Sequence, residues 1–194
     1  MAVSKLWLIN EGGLSRVLQY AANPKKTNNK LYVNGINCEL ETAYEEFTAV
    51  KHSYAKAGGI EAYHGYLSFK EQDITPELSL KIGTEFAQEV WGKRFQILVT
   101  VHTDTEHSHC HFVINSVSFV DGKKLWGEEK AWFKFKQTAD RLCEKYGLYY
   151  NPKPVRGKSS SYHYNREKKG EPTRYLLARE AMEKALLQCT NTAD

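Results

Sequence analysis

No run in this 194-residue chain is long and apolar enough to span a bilayer. The opening apolar stretch is broken by Ser4, Lys5 and Asn10, so it does not read as a secretory signal. Cysteine is sparse. Cys38, Cys110, Cys143 and Cys189 form no CxxC pair, which argues against a paired-cysteine metal motif and fits free thiols in a cytoplasmic protein. Internal repeats are missing, which excludes solenoids and propellers. No single sign of charge dominates either, since 27 bases and 23 acids leave a net +4.

What is present suits one ordinary domain with a full core. Hydrophobic residues make up 41% of the chain and charged residues 26%. The charge is uneven. Between Asn151 and Tyr175 seven bases face two acids, so this strip carries +5 and the rest is nearly neutral. With Tyr162, His163 and Tyr164 inside it, the strip reads either as a nucleic-acid contact surface or as a solvated loop.

Strands and helices alternate along the chain. Residues 3–9 (VSKLWLI), 31–36, 62–69 (AYHGYLSF), 95–102 (FQILVTVH) and 109–120 (HCHFVINSVSFV) read as strands. Asp121-Gly122 reads as a tight turn into a short strand at 123–126. Residues 14–22 read as a helix with Leu14, Val17, Leu18 and Ala21 on one side, stopped by Pro24. A second helix over 41–56 sets Ala43, Phe47, Val50 and Tyr54 at helical spacing. A third begins at Pro76, capped by Thr75, and runs to Trp91. A fourth over 131–146 aligns Trp132, Phe135, Ala139, Leu142, Cys143 and Tyr146. A last helix starts near Pro172. The expectation is an α/β (α+β) fold with a central antiparallel sheet, because short hairpin connections exclude an all-parallel one. Residues 1–150 form the core, and 151–194 form a basic segment and C-terminal helix of the same domain.

The stretch HTDTEHSHCHFVIN, residues 102–115, holds four of the seven histidines in ten positions. Side chains alternate on a strand, so His109 and His111 project from one face, about 7 Å apart. Pairing of 102 near 109 in a hairpin brings His102 to the same point. Cys110 points to the other face. His107 shares the parity of His109 and reads as a reserve ligand or a DNA-facing group. Three neutral imidazoles leave a divalent cation with its charge and open positions, which suits phosphate chemistry better than a structural zinc. Asp104 is a candidate to orient a ligand imidazole or to take a proton from a nucleophile. The bland alternative is a His-rich polar loop.

The histidine stretch resembles the motif of conjugative and mobilisation relaxases of the HUH endonuclease superfamily. YHGYLSFKEQDITPELSLKIGTEFAQEVWGKRF, LSRVLQYAANPKKT and FKQTADRLCEKYGL are similar to the same proteins, so the likeness runs from residue 14 to about 175. The resemblance implies a sheet of about five antiparallel strands flanked by helices, with Mg²⁺ or Mn²⁺ held by His102, His109 and His111. It implies site- and strand-specific nicking and rejoining at a transfer origin, through a 5′-phosphotyrosyl intermediate, in the cytoplasm of a bacterium. Among twelve tyrosines, the position that matches the nucleophile is Tyr20, on the flank of the first helix one turn after Arg16.

The implied partner is single-stranded and hairpin DNA of the origin, with accessory relaxosome proteins and a coupling protein. Phosphate contacts are expected from Arg16, Lys25, Lys26, Thr27, Arg156, Lys158 and Arg166. Ser68 matches a serine of the family's middle motif that contacts DNA. Relaxases often carry further C-terminal domains, so the polar QCTNTAD end is compatible both with a piece of a longer protein and with a natural end. The rival readings are a rolling-circle replication initiator, in which the histidine motif usually precedes the tyrosine, and a DNA-binding module with a structural metal.

Overall fold

A computed structural model describes residues 3–69, 74–104, 109–125, 129–149, 169–171, 177–178 and 181–182. The chain divides into two units, Met1–Pro152 and Lys153–Asp194. In the second, residues 177–178 and 181–182 are helical. His107, Arg156, Lys158, Arg166 and the expected helix start near Pro172 lie outside the described residues.

The first unit is a five-stranded sheet with helices on both faces. Its strands are β1 (Val3–Asn10), β2 (Val33–Ile36), β3 (Ile60–Ser68), β4 (Ile97–His102) and β5 (His109–Asn115). Its helices are α1 (Leu14–Ala21), α2 (Ala43–Ser53), α3 (Pro76–Val90) and α4 (Glu129–Lys145). The strand order is β1-β3-β5-β4-β2, and every pairing is antiparallel. No described helix is long and apolar enough to cross a membrane.

Two apolar layers explain the arrangement. On one face, Tyr63, Leu67, Val99, Cys110 and Phe112 pack beneath α3 and α4. On the other, Ala62, Leu98 and Val113 pack beneath α1 and α2. Strand β4 is covered on both sides, and all six of its residues are buried. Its run ILVTVH is nearly continuous in apolar and β-branched residues for that reason. The α3 start follows its sequence signal, with the Thr75 hydroxyl accepting from the Leu78 N–H at 3.3 Å and Pro76 in the first turn. Gly83 lets α3 approach β5, because a Cβ there would lie 2.8 Å from the Cys110 Sγ.

Three expectations are corrected. The inward stripe of α2 is Ala43, Phe47 and Lys51, not Ala43, Phe47, Val50 and Tyr54. Tyr54 stands past the helix end with its hydroxyl donating to the Phe119 carbonyl, and Lys51 buries its stem while desolvation lowers its pKa to about 8. The strand expected over 109–120 ends at Asn115. Of the short strand at 123–126, the described residues form one bridge, Val117 with Lys124, across the Ser118–Gly122 turn, and Trp126 lies outside the described residues. In α4, Phe135, Ala139, Leu142 and Cys143 face the core; the Trp132 side chain lies outside the described residues.

Candidate metal and DNA site

Alternation on β3 and β5 sends His64, Tyr66, His109 and His111 to the face opposite α3. Helix α1 covers only part of that face, through Leu14, Val17, Leu18 and Ala21. The remainder is an open cleft of about 810 Å³, with Tyr20, Arg16 and Lys26 on its wall and His102, His109 and His111 on its floor.

The hairpin register is the one the histidine spacing requires. His102 pairs with His109 across β4 and β5, and Thr100 pairs with His111. The rings of His102 and His111 lie 4.1 Å apart, and those of His109 and His111 6.4 Å apart. Tyr20 stands edge-on to this group, 5.4 Å from His102 and 6.0 Å from His111.

Helix α1 is tied to the sheet at both ends. At its start, Gly13 has no side chain to cap the free N–H groups, and Glu61 of β3 does so instead. Its Oε2 accepts from Gly13 N at 3.0 Å and Leu14 N at 2.9 Å. At its end, His102 Nε2 lies 3.0 Å from the Ala21 carbonyl. A carbonyl only accepts, so His102 carries its proton on Nε2 and keeps the Nδ1 lone pair free. The nucleophile candidate is thus one residue from a bond to a ligand candidate.

Burial favours the neutral form of His64, His102 and His111. Burial lowers the pKa of His102 below the ordinary value. Burial, reinforced by the neighbouring imidazoles, lowers His64 to about 4 and His111 to about 3. Neutral rings keep lone pairs for a cation, so this donor set fits a divalent ion. Among the described residues no three His, Cys, Asp or Glu donors already enclose one point. Ring rotation on the fixed strands has to complete the convergence.

Asp104 is placed differently from expectation. Its Oδ2 pairs with the Lys26 Nζ at 3.0 Å, rather than orienting a ligand imidazole. Lys26 holds the Asp104 carboxyl below the usual carboxylate range, which makes it a weaker proton acceptor. Lys26 in turn reaches the Tyr20 phenol, with Nζ 4.9 Å from the ring centroid, and its own pKa is raised, chiefly by Asp104.

Thr27 is also corrected. It is fully buried, donating its hydroxyl to the Asn23 carbonyl and accepting from Lys30 N, so it shapes the loop and does not face a ligand. Three successive left-handed residues, Asn28, Asn29 and Lys30, turn this loop, and Thr103 N bonds the Lys26 carbonyl at 2.8 Å to pin it beside His102. Arg16 is exposed on the cleft wall. Lys25 is exposed outside the cleft lining, and Ser68 is half-buried opposite His109 in the register. Asn115, which ends the histidine motif, is structural: its amide donates to the Phe47 carbonyl and to Gln96.

The sequence reading missed His64, whose Nε2 lies 3.2 Å from the His111 Nδ1. It also missed Trp7, 39% exposed, with its ring 5.6 Å from those of His64 and Tyr66. The alternation of YHGYLSF puts His64, Tyr66 and Ser68 on one face, but only the register shows that this face is the one bearing the histidines.

Comparison with known proteins identifies the family and the fold. The family described as Relaxase: MobA/VirD2-like, nuclease domain matches residues 20–148. A protein named rlx from Staphylococcus aureus is 35% identical over 148 residues, covering 76% of this chain and 44% of the relative. A second rlx protein from the same species is 34% identical over 134 residues, covering 69% and 39%. The chain therefore spans less than half the length of these curated relatives. The MobM relaxase domain, solved Mn-bound with plasmid pMV158 oriT DNA, superposes with a TM-score of 0.58 at 12% identity, over 87% of this chain and 98% of that one. At that identity the likeness concerns the fold. The family match and the rlx relatives establish that the chain belongs to the MobA/VirD2-like relaxase nuclease-domain family.

Proposed function

We propose that this domain nicks and rejoins one DNA strand at a transfer origin, with Tyr20 as nucleophile, in mobilisation of a plasmid or transposon. The observation that carries the reading is the approach of the Tyr20 ring to His102 and His111 on a helix fixed at both ends. His102, His109 and His111 would hold a divalent cation, Mg²⁺ or Mn²⁺. Such an ion, when bound, polarises a phosphate oxygen and offsets charge in phosphoryl transfer.

The side chains do the rest. The Tyr20 oxygen bonds to phosphorus as the bond to the 3′ oxygen breaks; the phenol gives up its proton and the 3′ oxygen takes one up. One phosphate ester replaces another, so the reverse reaction rejoins the strand. The Lys26 ammonium lies beside the phenol, 4.9 Å from the ring centroid, and is held there by Asp104. Arg16 faces the same cleft and suits a phosphate oxygen. The rings of Trp7 and Tyr66 offer flat surfaces on which unpaired bases stack. Single-stranded and hairpin origin DNA, accessory relaxosome proteins and a coupling protein, all in a bacterial cytoplasm, belong to the same reading.

The test is incubation with Mn²⁺ or Mg²⁺ and labelled single-stranded origin DNA, followed by a denaturing gel. A covalent protein–DNA band that disappears in Tyr20→Phe supports the reading. Binding without covalent product across several metals leaves only a binding module.

A further inference from the structure

We propose that His64 is a positioning residue of the metal site, accepting the Nδ1 proton of His111 so that His111 presents Nε2 to the cation. The proposal rests on the reading of His102, His109 and His111 as ligands.

The two nitrogens are 3.2 Å apart. The ring centroids are 5.3 Å apart and the planes differ by 22°, so the rings meet edge to edge in the plane an N–H···N bond requires. In a single N–H···N bond at this distance one nitrogen donates and the other accepts. Were His64 the donor, His111 would carry its proton on Nε2 and use its lone pair on Nδ1, leaving nothing for a metal. Only donation from His111 to His64 opens Nε2.

Topology separates His64 from the ligand cluster. It stands on β3, on one side of β5, while His102 stands on β4, on the other. Tyr66 is directly opposite His111 in the register, and His64 opposite Val113, so His64 meets His111 diagonally. On its outer side His64 is opposite Trp7, whose ring packs at 5.6 Å. His102 is served in the same way by a different group, its second nitrogen being bound to the Ala21 carbonyl. Two ligand candidates thus have their non-ligating nitrogens engaged by acceptors the fold supplies, an arrangement that sets tautomer and ring angle.

The test is Mn²⁺ titration of the metal-free protein by calorimetry for wild type, His64→Ala and His64→Gln, with pulsed EPR counting the imidazole nitrogens on bound Mn²⁺. His64→Ala is expected to weaken Mn²⁺ binding about 10- to 100-fold, with the imidazole count unchanged. His64→Gln, whose amide oxygen accepts the same proton, is expected to recover most of that loss. Unchanged Mn²⁺ affinity in His64→Ala overturns the proposal, and so does loss of one imidazole from the count, which would make His64 a ligand. Should His64→Ala not fold, His64→Gln against His64→Phe makes the same discrimination. A wild-type protein that takes up no Mn²⁺ removes the ligand reading itself, a result distinct from a defect confined to His64.

Discussion

The ring of Tyr20 meets the ring of His102 edge to face at 5.4 Å, and the carbonyl of the next residue, Ala21, binds the His102 Nε2 proton. A side chain from the first helix and one from the fourth strand are therefore a single mechanical unit. Replacing the phenol alone separates chemistry from binding. Tyr20→Phe is expected to lose the covalent adduct entirely and to keep single-stranded DNA affinity within a few-fold, checked by denaturing gel and by fluorescence anisotropy.

The other end of that helix gives a second expectation. Glu61 is the acceptor for the Gly13 and Leu14 N–H groups, so Glu61→Ala should cost about 1–2 kcal/mol of stability. Adduct formation should fall further than stability does, because the helix that carries Tyr20 loses its anchor. Chemical denaturation gives the first quantity and single-turnover cleavage the second. An adduct rate equal to wild type would show that the cap does not set the position of Tyr20.

Stability should depend on pH through the buried imidazoles. The folded-state pKa values of His64 and His111 are depressed to about 4 and about 3, below the unfolded value near 6.5. The unfolded chain therefore binds more protons as pH falls below 6.5. The stability of the metal-free protein is complete above that value and declines progressively as pH drops toward about 4. Thermal unfolding across that range should show a falling Tm, and the fall should be shallower in His64→Ala, which lacks one of the groups.

Lys26 has two roles that a salt titration separates. Its partly exposed ion pair with Asp104 contributes little to stability, within about 1 kcal/mol. Its contact with a phosphate should appear in DNA binding. Lys26→Met is expected to weaken single-stranded DNA affinity for all sequences alike and to reduce the slope of log K against log salt by about 0.7. An unchanged slope would assign Lys26 to Tyr20 and Asp104 alone.

Trp7 is 39% exposed at the cleft. If a base stacks on it, Trp7→Ala should lose about 1–3 kcal/mol of single-stranded DNA binding, while Trp7→Phe should lose much less. An abasic site at the stacked nucleotide should cost the wild type as much as Trp7→Ala does, and cost the alanine variant nothing further.

Much of this was readable along the chain. The period-2 run at residues 109–115 and the β-branched run before it determined a hairpin, and H-x6-H-x-H on that hairpin determined that three imidazoles share a face. The amphipathic stripe of Leu14, Val17, Leu18 and Ala21 determined which side of the first helix is buried, and so that Tyr20 is not. These are local consequences of backbone period, which sequence spacing carries directly. Tertiary structure decided the rest, because pairing between distant segments has no local signature. Only the β1-β3-β5-β4-β2 order set His64 beside His111, put Glu61 under the start of the first helix, and turned Asp104 toward Lys26 instead of an imidazole. The burial of Lys51 and Thr27 was likewise decided by what packs above them, which no pattern within their own segments specifies.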